Sequence, residues 1–170
     1  MSTVSYVSLG CPKALVDSEH IVTALADENF EVVGENSEAG VVVVNTCGFI
    51  NQAKAESYEA IEAAMENEQQ VVVTGCLGVE REELLRRYPG LKFVSGPGDT
   101  VQVVKAVKSL NGESVDRLYD PALVGRDSGN RVLLTPEHYA YLKIAEGCNH
   151  KCTFCIIPTM RGPLTSKTLG

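Results

Sequence analysis

No run of 18 apolar residues occurs in this 170-residue chain, and no basic segment followed by an apolar stretch opens it. The first absence excludes an apolar transmembrane helix. The second predicts that no secretion signal is present. Positive charge is scarce: 15 Lys and Arg stand against 22 Asp and Glu, a net charge of −7. Domains that hold nucleic acid through its phosphates carry a basic face, so strong nucleic-acid binding by this part of the protein is not expected. No internal repeat or low-complexity tract is visible. Gly96-Pro97-Gly98-Asp99-Thr100 lacks the G-x4-G-K-[ST] order of a phosphate loop and reads as a turn and helix cap. What remains, 44% hydrophobic and 22% charged residues, is the composition of a soluble globular chain. The length allows one ordinary domain and a piece of another.

Six cysteines are present. Without a leader they point to a reducing compartment, and so to metal or redox chemistry rather than disulfides; a cytoplasmic location is expected. Three of them, Cys148, Cys152 and Cys155, lie within eight residues in a C-x3-C-x2-C spacing. Three thiolates on one loop can hold three irons of a four-iron cluster and leave the fourth iron open to a substrate or cofactor. A structural zinc site is the competing reading. It normally takes four protein ligands, and His150, placed between the first two cysteines, is an awkward fourth. Unrelated buried cysteines are the third reading.

The other three cysteines follow from the chain's periodicity. Ser5–Leu9 reads as a strand ending at Gly10-Cys11, and Pro12 then opens a helix with Leu15, Ile21, Val22 and Leu25 at helical spacing. Phe30–Val33 is a short strand. Val41–Val44 and Val71–Val73 are unbroken apolar runs, as expected of strands buried on both faces of a parallel sheet. They end at Asn45-Thr46-Cys47 and Thr74-Gly75-Cys76. Helices are expected near Gln52–Met65, Val79–Tyr88 and Thr100–Leu110, the last with Val101, Val104 and Val107 on one stripe, and a short strand at Phe93-Val94. Alternating strands and helices predict an α/β domain with a doubly wound, mostly parallel sheet. Ligands bind at the carboxyl edge of such sheets. Cys11, Cys47 and Cys76 each fall just past a strand's carboxyl end, so topology alone would bring them to one rim. Cys11 and Cys76 also sit near helix starts, where free N–H groups favour the thiolate. Against this stands the tendency of cysteine to be a small buried apolar residue.

Beyond Asn111 the pattern turns polar. Asn111–Asp120 and Gly125–Asn130 are turn-rich, with Gly112 and Pro121 as breakers. Arg131–Leu134 is a short apolar piece, and Tyr139–Ala145 reads as a strand leading into Glu146-Gly147-Cys148. The expected division is 1–112 for the first domain, 113–138 for a linker and 139–170 for the start of a second. A single strand cannot bury its faces without neighbours, so residues 139–170 are expected to be poorly supported. A protease should then clip between Asn111 and Asn130 or beyond.

The run Val7-Ser8-Leu9-Gly10-Cys11-Pro12-Lys13 through Glu19 resembles the opening of the bacterial methylthiotransferases that modify an aspartate of a small-subunit ribosomal protein. So do Asn45-Thr46-Cys47-Gly48-Phe49-Ile50, Thr74-Gly75-Cys76-Leu77, Leu133-Leu134-Thr135-Pro136, and Tyr139 through His150. Cys152-Thr153-Phe154-Cys155-Ile156-Ile157-Pro158 and Arg161-Gly162 continue the likeness. A sister family that methylthiolates an adenosine in transfer RNA shares both cysteine sets. Its opening usually has an uncharged polar residue where Pro12-Lys13 stand.

The resemblance implies two 4Fe-4S clusters and S-adenosyl-L-methionine as cofactors. Cys148, Cys152 and Cys155 would bind the cluster of the radical chemistry, and Cys11, Cys47 and Cys76 an auxiliary cluster. Phe154 would flank the adenine; core packing is its alternative role. No side chain is assigned as catalytic, because the cofactors carry the chemistry. A small-subunit ribosomal protein as substrate, an electron donor such as flavodoxin or ferredoxin, and a sulfur donor are the implied partners. The family continues past the region matched here through a partial α/β barrel and a small β domain. This chain would then carry only the truncated start of the radical S-adenosylmethionine barrel and be inactive alone. A non-catalytic iron–sulfur or sulfur-carrier domain and a zinc-stabilised binding module remain as alternatives. Of the other polar residues, His20 and His138 read as solvated, and His150 as a possible hydrogen-bond partner of the cluster loop. Lys13 and Arg161 flank the two cysteine sets, either to hold cofactor or substrate or as ordinary surface charge.

Overall fold

In the computed structural model, residues 2–34, 39–112 and 131–168 are described. Most of the expected linker lies outside them, as does most of the expected protease-sensitive stretch. Five strands, β1 (Thr3–Ser8), β2 (Glu31–Val33), β3 (Val41–Thr46), β4 (Gln70–Gly75) and β5 (Phe93–Val94), form one sheet in the order β2-β1-β3-β4-β5. Every pairing in it is parallel. Helices α1 (Pro12–Asp27), α2 (Asn51–Glu66), α3 (Arg81–Arg87) and α4 (Thr100–Leu110) accompany the strands, with a 3-10 turn over Cys76–Glu80. The expected α/β, doubly wound, parallel architecture is present.

The valine runs explain the sheet. Val41 to Val44 and Val71 to Val73 are all buried. β-Branched side chains suit a pleated surface, and burying each contributes about 1.5–3 kcal/mol. Alternation divides them between two cores. Val41, Val43 and Val72 face Ile21, Leu25, Val103, Val104 and Val107 from α1 and α4. Val42, Val44, Val71 and Val73 face Ile61 and Leu84 from α2 and α3. Helices therefore cover both faces of the central strands.

Several expectations shift in detail. The helix expected over Val79–Tyr88 is a 3-10 turn followed by the short α3, because the chain must turn tightly after Gly75. On α4 the buried stripe is Val103, Val104 and Val107, not Val101. Asp99 occupies the N-cap position of α4, without a side-chain cap bond.

The strand expected over Tyr139–Ala145 is reduced to β6 (Ala145–Glu146). It pairs antiparallel with β7 (Thr165–Ser166) beyond the five-residue α5 (Ile157–Arg161). A barrel strand needs parallel neighbours on its edges, and among the described residues none pairs with it. Nor is the described segment 131–168 without support, contrary to the expectation for 139–170. Leu134 N–H donates to Glu19 Oε1 at 3.0 Å, and Arg131 Nε pairs with Glu19 Oε2 at 3.1 Å. Lys143 pairs with Asp17, as does Arg161 Nη1 at 3.2 Å. Buried acids on α1, rather than a second apolar core, hold this segment. No helix among the described residues is long and apolar enough to cross a membrane.

Candidate functional site

The strand order reverses between β1 and β3: α1 leads from β1 to one side, and the chain returns on the other side through β3. Such switch points leave a crevice at the carboxyl edge. Cys11 follows β1 and Cys47 follows β3, so these two flank the switch point, with Cys76 after β4 one strand further along. All three line a single cleft of about 720 Å³, a size suited to a small-molecule or cofactor site. Lys13, Phe49, Ile50, Met160 and Arg161 line the same cleft. Cys11 is exposed, whereas Cys47 and Cys76 are buried.

Buried hydrogen bonds fix each strand end. Cys11 is the N-cap residue of α1, and its carbonyl accepts from Leu15 N–H at 3.0 Å. The Cys47 N–H donates to Ser57 Oγ at 3.0 Å, and the Ser57 hydroxyl lies 2.9 Å from the Cys47 carbonyl. One turn of α2 thus clamps the backbone of Cys47. Asn45 Nδ2 donates to Ala14 O at 2.9 Å and to Ser18 Oγ at 2.7 Å, which ties the end of β3 to α1. Thr46 Oγ1 donates to Thr74 O at 2.6 Å, tying it to β4. Gly75 has φ +93°, and a Cβ there would stand 2.4 Å from Thr46 O and Asn45 Oδ1. Only glycine can make this turn that delivers Cys76.

The second cysteine loop sits beside the first site. Gly147 has φ +75°, and a Cβ there would stand 2.1 Å from Pro163 O. This close approach lets Cys148 N–H donate to Gly162 O at 3.1 Å. Cys155 N–H donates to Cys152 O at 3.1 Å, and Leu164 N–H to Asn149 Oδ1 at 2.9 Å. Cys152 is exposed, and Cys148 and Cys155 are half-buried. Phe154 is 91% exposed and packs into no core among the described residues.

Helix α5 starts two residues after Cys155 and ends at Arg161, whose side chain, only 5% exposed, enters the cleft of the first three cysteines. Nη1 pairs with Asp17 at 3.2 Å and with Glu146 at 3.0 Å. Nη2 is buried without a partner in hydrogen-bonding geometry. Surface charge is therefore not the role of Arg161. Lys13 instead stays half-exposed, with Nζ 3.2 Å from Ala145 O and 3.6 Å from Glu146.

The electrostatics follow from burial. Desolvation pushes the Cys76 thiol up, and the charge and N–H groups of nearby Arg161 partly oppose it. The expected thiolate-favouring helix start is thus outweighed at Cys76 by its burial. Burial would raise the Glu146 carboxyl, but hydrogen bonding and charge from Lys143, then Arg161 and the Gly147 N–H, bring it down to about 2. His20 is not solvated as expected: it is half-buried, and desolvation, with Arg131 and Lys143 nearby, lowers its pKa.

Among the described residues, no group of three or more Cys, His, Asp or Glu side chains stands in a geometry that could hold a single metal ion. A four-iron cluster is a larger object than one ion, and its ligands are spread around it. Three thiols on the walls of one cleft, with a buried cation offering an unused donor, fit an anionic iron–sulfur group in donor chemistry and in room. Two features of the site escaped the sequence reading: the Ser57 clamp and the buried acids Asp17 and Glu19. A serine in mid-helix, and two carboxylates in the stretch that carries the apolar stripe of α1, were the available signals.

Known proteins resemble this chain over nearly its whole length. A protein of Bordetella pertussis described as ribosomal protein uS12 methylthiotransferase RimO is 53% identical over 167 residues, 98% of this chain and 37% of the relative. Proteins of the same description from Methylorubrum populi and Stutzerimonas stutzeri are 52% and 51% identical, with 36% and 38% of their lengths covered. The chain thus spans little more than a third of the curated relatives it matches. Residues 3–96, the sheet and all three cysteines of the switch-point cleft included, match a family as a unit, and the chain belongs to that family, described as Uncharacterized protein family UPF0004.

Proposed function

We propose that this chain is the cluster-bearing part of a methylthiotransferase that adds a methylthio group to the β-carbon of an aspartate in a small-subunit ribosomal protein. The observation that carries the reading is the meeting of Cys11, Cys47 and Cys76 in one cleft, entered by Arg161 from the helix that follows the second cysteine set. The names of the relatives support uS12 as the ribosomal protein.

In this reading, Cys11, Cys47 and Cys76 hold one 4Fe-4S cluster, and Cys148, Cys152 and Cys155 hold the other. Residues 1–112 form the first domain and 139–170 begin the second, joined by the linker 113–138. When bound, the clusters and S-adenosyl-L-methionine supply the one-electron chemistry that functionalises an unactivated carbon–hydrogen bond. The chain's own residues bind and orient. Ser57, Asn45 and Gly75 fix the three strand ends. Phe49 and Ile50 give the cleft an apolar wall that limits water. The exposed ring of Phe154 is free to stack on an adenine. An electron donor such as flavodoxin or ferredoxin and a sulfur donor complete the partners, and the setting is the cytoplasm. Residues 1–170 alone are expected to load clusters without turning over.

A chimera with residues 1–168 in place of the matching part of the Bordetella pertussis relative tests the proposal. Mass spectrometry should find a methylthio group on uS12, and Cys47→Ala in the chimera should abolish it. A cluster-loaded chimera that modified adenosine in transfer RNA and left uS12 untouched would overturn the substrate assignment.

A further inference from the structure

Arg161 is the only buried cation in the cleft of the first three cysteines, among the described residues that line it. It comes from the other end of the chain, at the close of the short helix behind Cys155. Its two terminal nitrogens do different things. Nη1 is saturated by Asp17 and Glu146. Nη2 is buried without a partner in hydrogen-bonding geometry, and the nearest group to the guanidinium's open side is the Cys76 thiol. A buried N–H group without an acceptor costs about 1–3 kcal/mol, more when charged, so an acceptor bound in the cleft beside Nη2 would stabilise the arrangement. The hold on Nη1 is strong. Asp17 is 4% exposed and also carries Lys143, and Glu146 is fixed by Lys143 and by the Gly147 N–H. The guanidinium is thus clamped on one side and left open on the other, beside Cys76.

We propose that Arg161 is a positioning residue for the switch-point site: its free Nη2 donates to a sulfur of the anionic group bound by Cys11, Cys47 and Cys76. This rests on the cluster reading above. Arginine suits the task better than lysine, because a planar fork can pair with carboxylates along one edge and present a donor along another. A hydrogen bond from a cation to a cluster sulfur favours the reduced, more negative state and raises the reduction potential. Because the same side chain terminates the helix behind Cys155, the potential of one site becomes dependent on how the other cysteine loop is seated.

The test uses the whole chain with Cys148, Cys152 and Cys155 replaced by Ala, reconstituted anaerobically so that only the first site can load. Redox titration followed by electron paramagnetic resonance reads the potential. Arg161→Met should lower the potential with iron and sulfide contents unchanged. Arg161→Lys, which keeps the charge and loses the fork, should give an intermediate value, and it carries the readout if the Met variant fails to fold. Lys108→Met removes a cation that pairs with Glu28 and does not line the cleft, and it should leave the potential where it was. Clusters of full iron content with one and the same potential in the parent, the Arg161→Lys variant and the Arg161→Met variant would overturn the proposal alone. A parent chain that binds no iron–sulfur cluster at these cysteines would overturn the functional reading beneath it.

Discussion

Arg161 and Asp17, 144 residues apart in sequence, form a buried ion pair of 3.2 Å across the boundary between α1 and the second cysteine loop. The pair explains how a segment with almost no regular structure is held against the parallel sheet. It also explains why a carboxylate occupies the buried side of an apolar helix. Asp17 answers two cations, Lys143 and Arg161, and both belong to the later segment.

Asp17→Ala removes one carboxylate and leaves two cations near low-dielectric surroundings. Breaking a buried pair in this way costs about 3–5 kcal/mol. The cost should fall on the docking of residues 131–168 rather than on the sheet. Limited proteolysis is therefore expected to cut that segment quickly in the variant while the sheet domain stays resistant. Equal resistance of both parts would show that the ion pair does not hold the segment.

Acid should have a related effect. The Glu146 carboxyl lies at about 2 in the fold against an ordinary 4.5. Its contribution to stability is complete above the ordinary value and is lost as pH falls through the folded one. Seating of the second cysteine loop should therefore weaken progressively from about pH 4.5 toward pH 2. Glu146→Gln should flatten that part of the acid dependence of unfolding, measured by circular dichroism. An unchanged acid profile would exclude Glu146 as its source.

Gly75→Ala places a Cβ 2.4 Å from two oxygens at a φ of +93°. With ψ −166° the backbone lies in a region essentially confined to glycine, which costs another residue about 1–3 kcal/mol, and the clash adds to it. Thermal unfolding should show a large loss of stability. Gly34→Ala, where a Cβ meets nothing within 4 Å, should stay within about 0.5 kcal/mol. Equal effects at the two positions would mean that the turn into Cys76 is not constrained as described.

The sheet was legible because burial on both faces writes itself into sequence. A run such as Val41–Val44 has few alternatives to a central parallel strand, and the residue after its carboxyl end is then placed by topology. Cys11, Cys47 and Cys76 share a cleft for that reason. The second segment was not legible, because its support is ionic. Neither periodicity nor propensity shows that Lys143 and Arg161 will meet Asp17, or that Arg131 will meet Glu19. The strand expected at Tyr139–Ala145 failed on the same ground: alternation alone does not supply a neighbour to pair with. Ser57 escaped notice because its bonds to Cys47 depend on the crossing of α2 over the end of β3.

Iron and sulfide analysis of the anaerobically reconstituted chain and two triple variants tests the central claim most directly. The parent chain should bind about eight irons with matching sulfide. Replacing Cys11, Cys47 and Cys76 by Ala together should leave about four, and so should replacing Cys148, Cys152 and Cys155. A parent chain that took up zinc without sulfide, or that lost no iron when Cys11, Cys47 and Cys76 were replaced, would contradict the account.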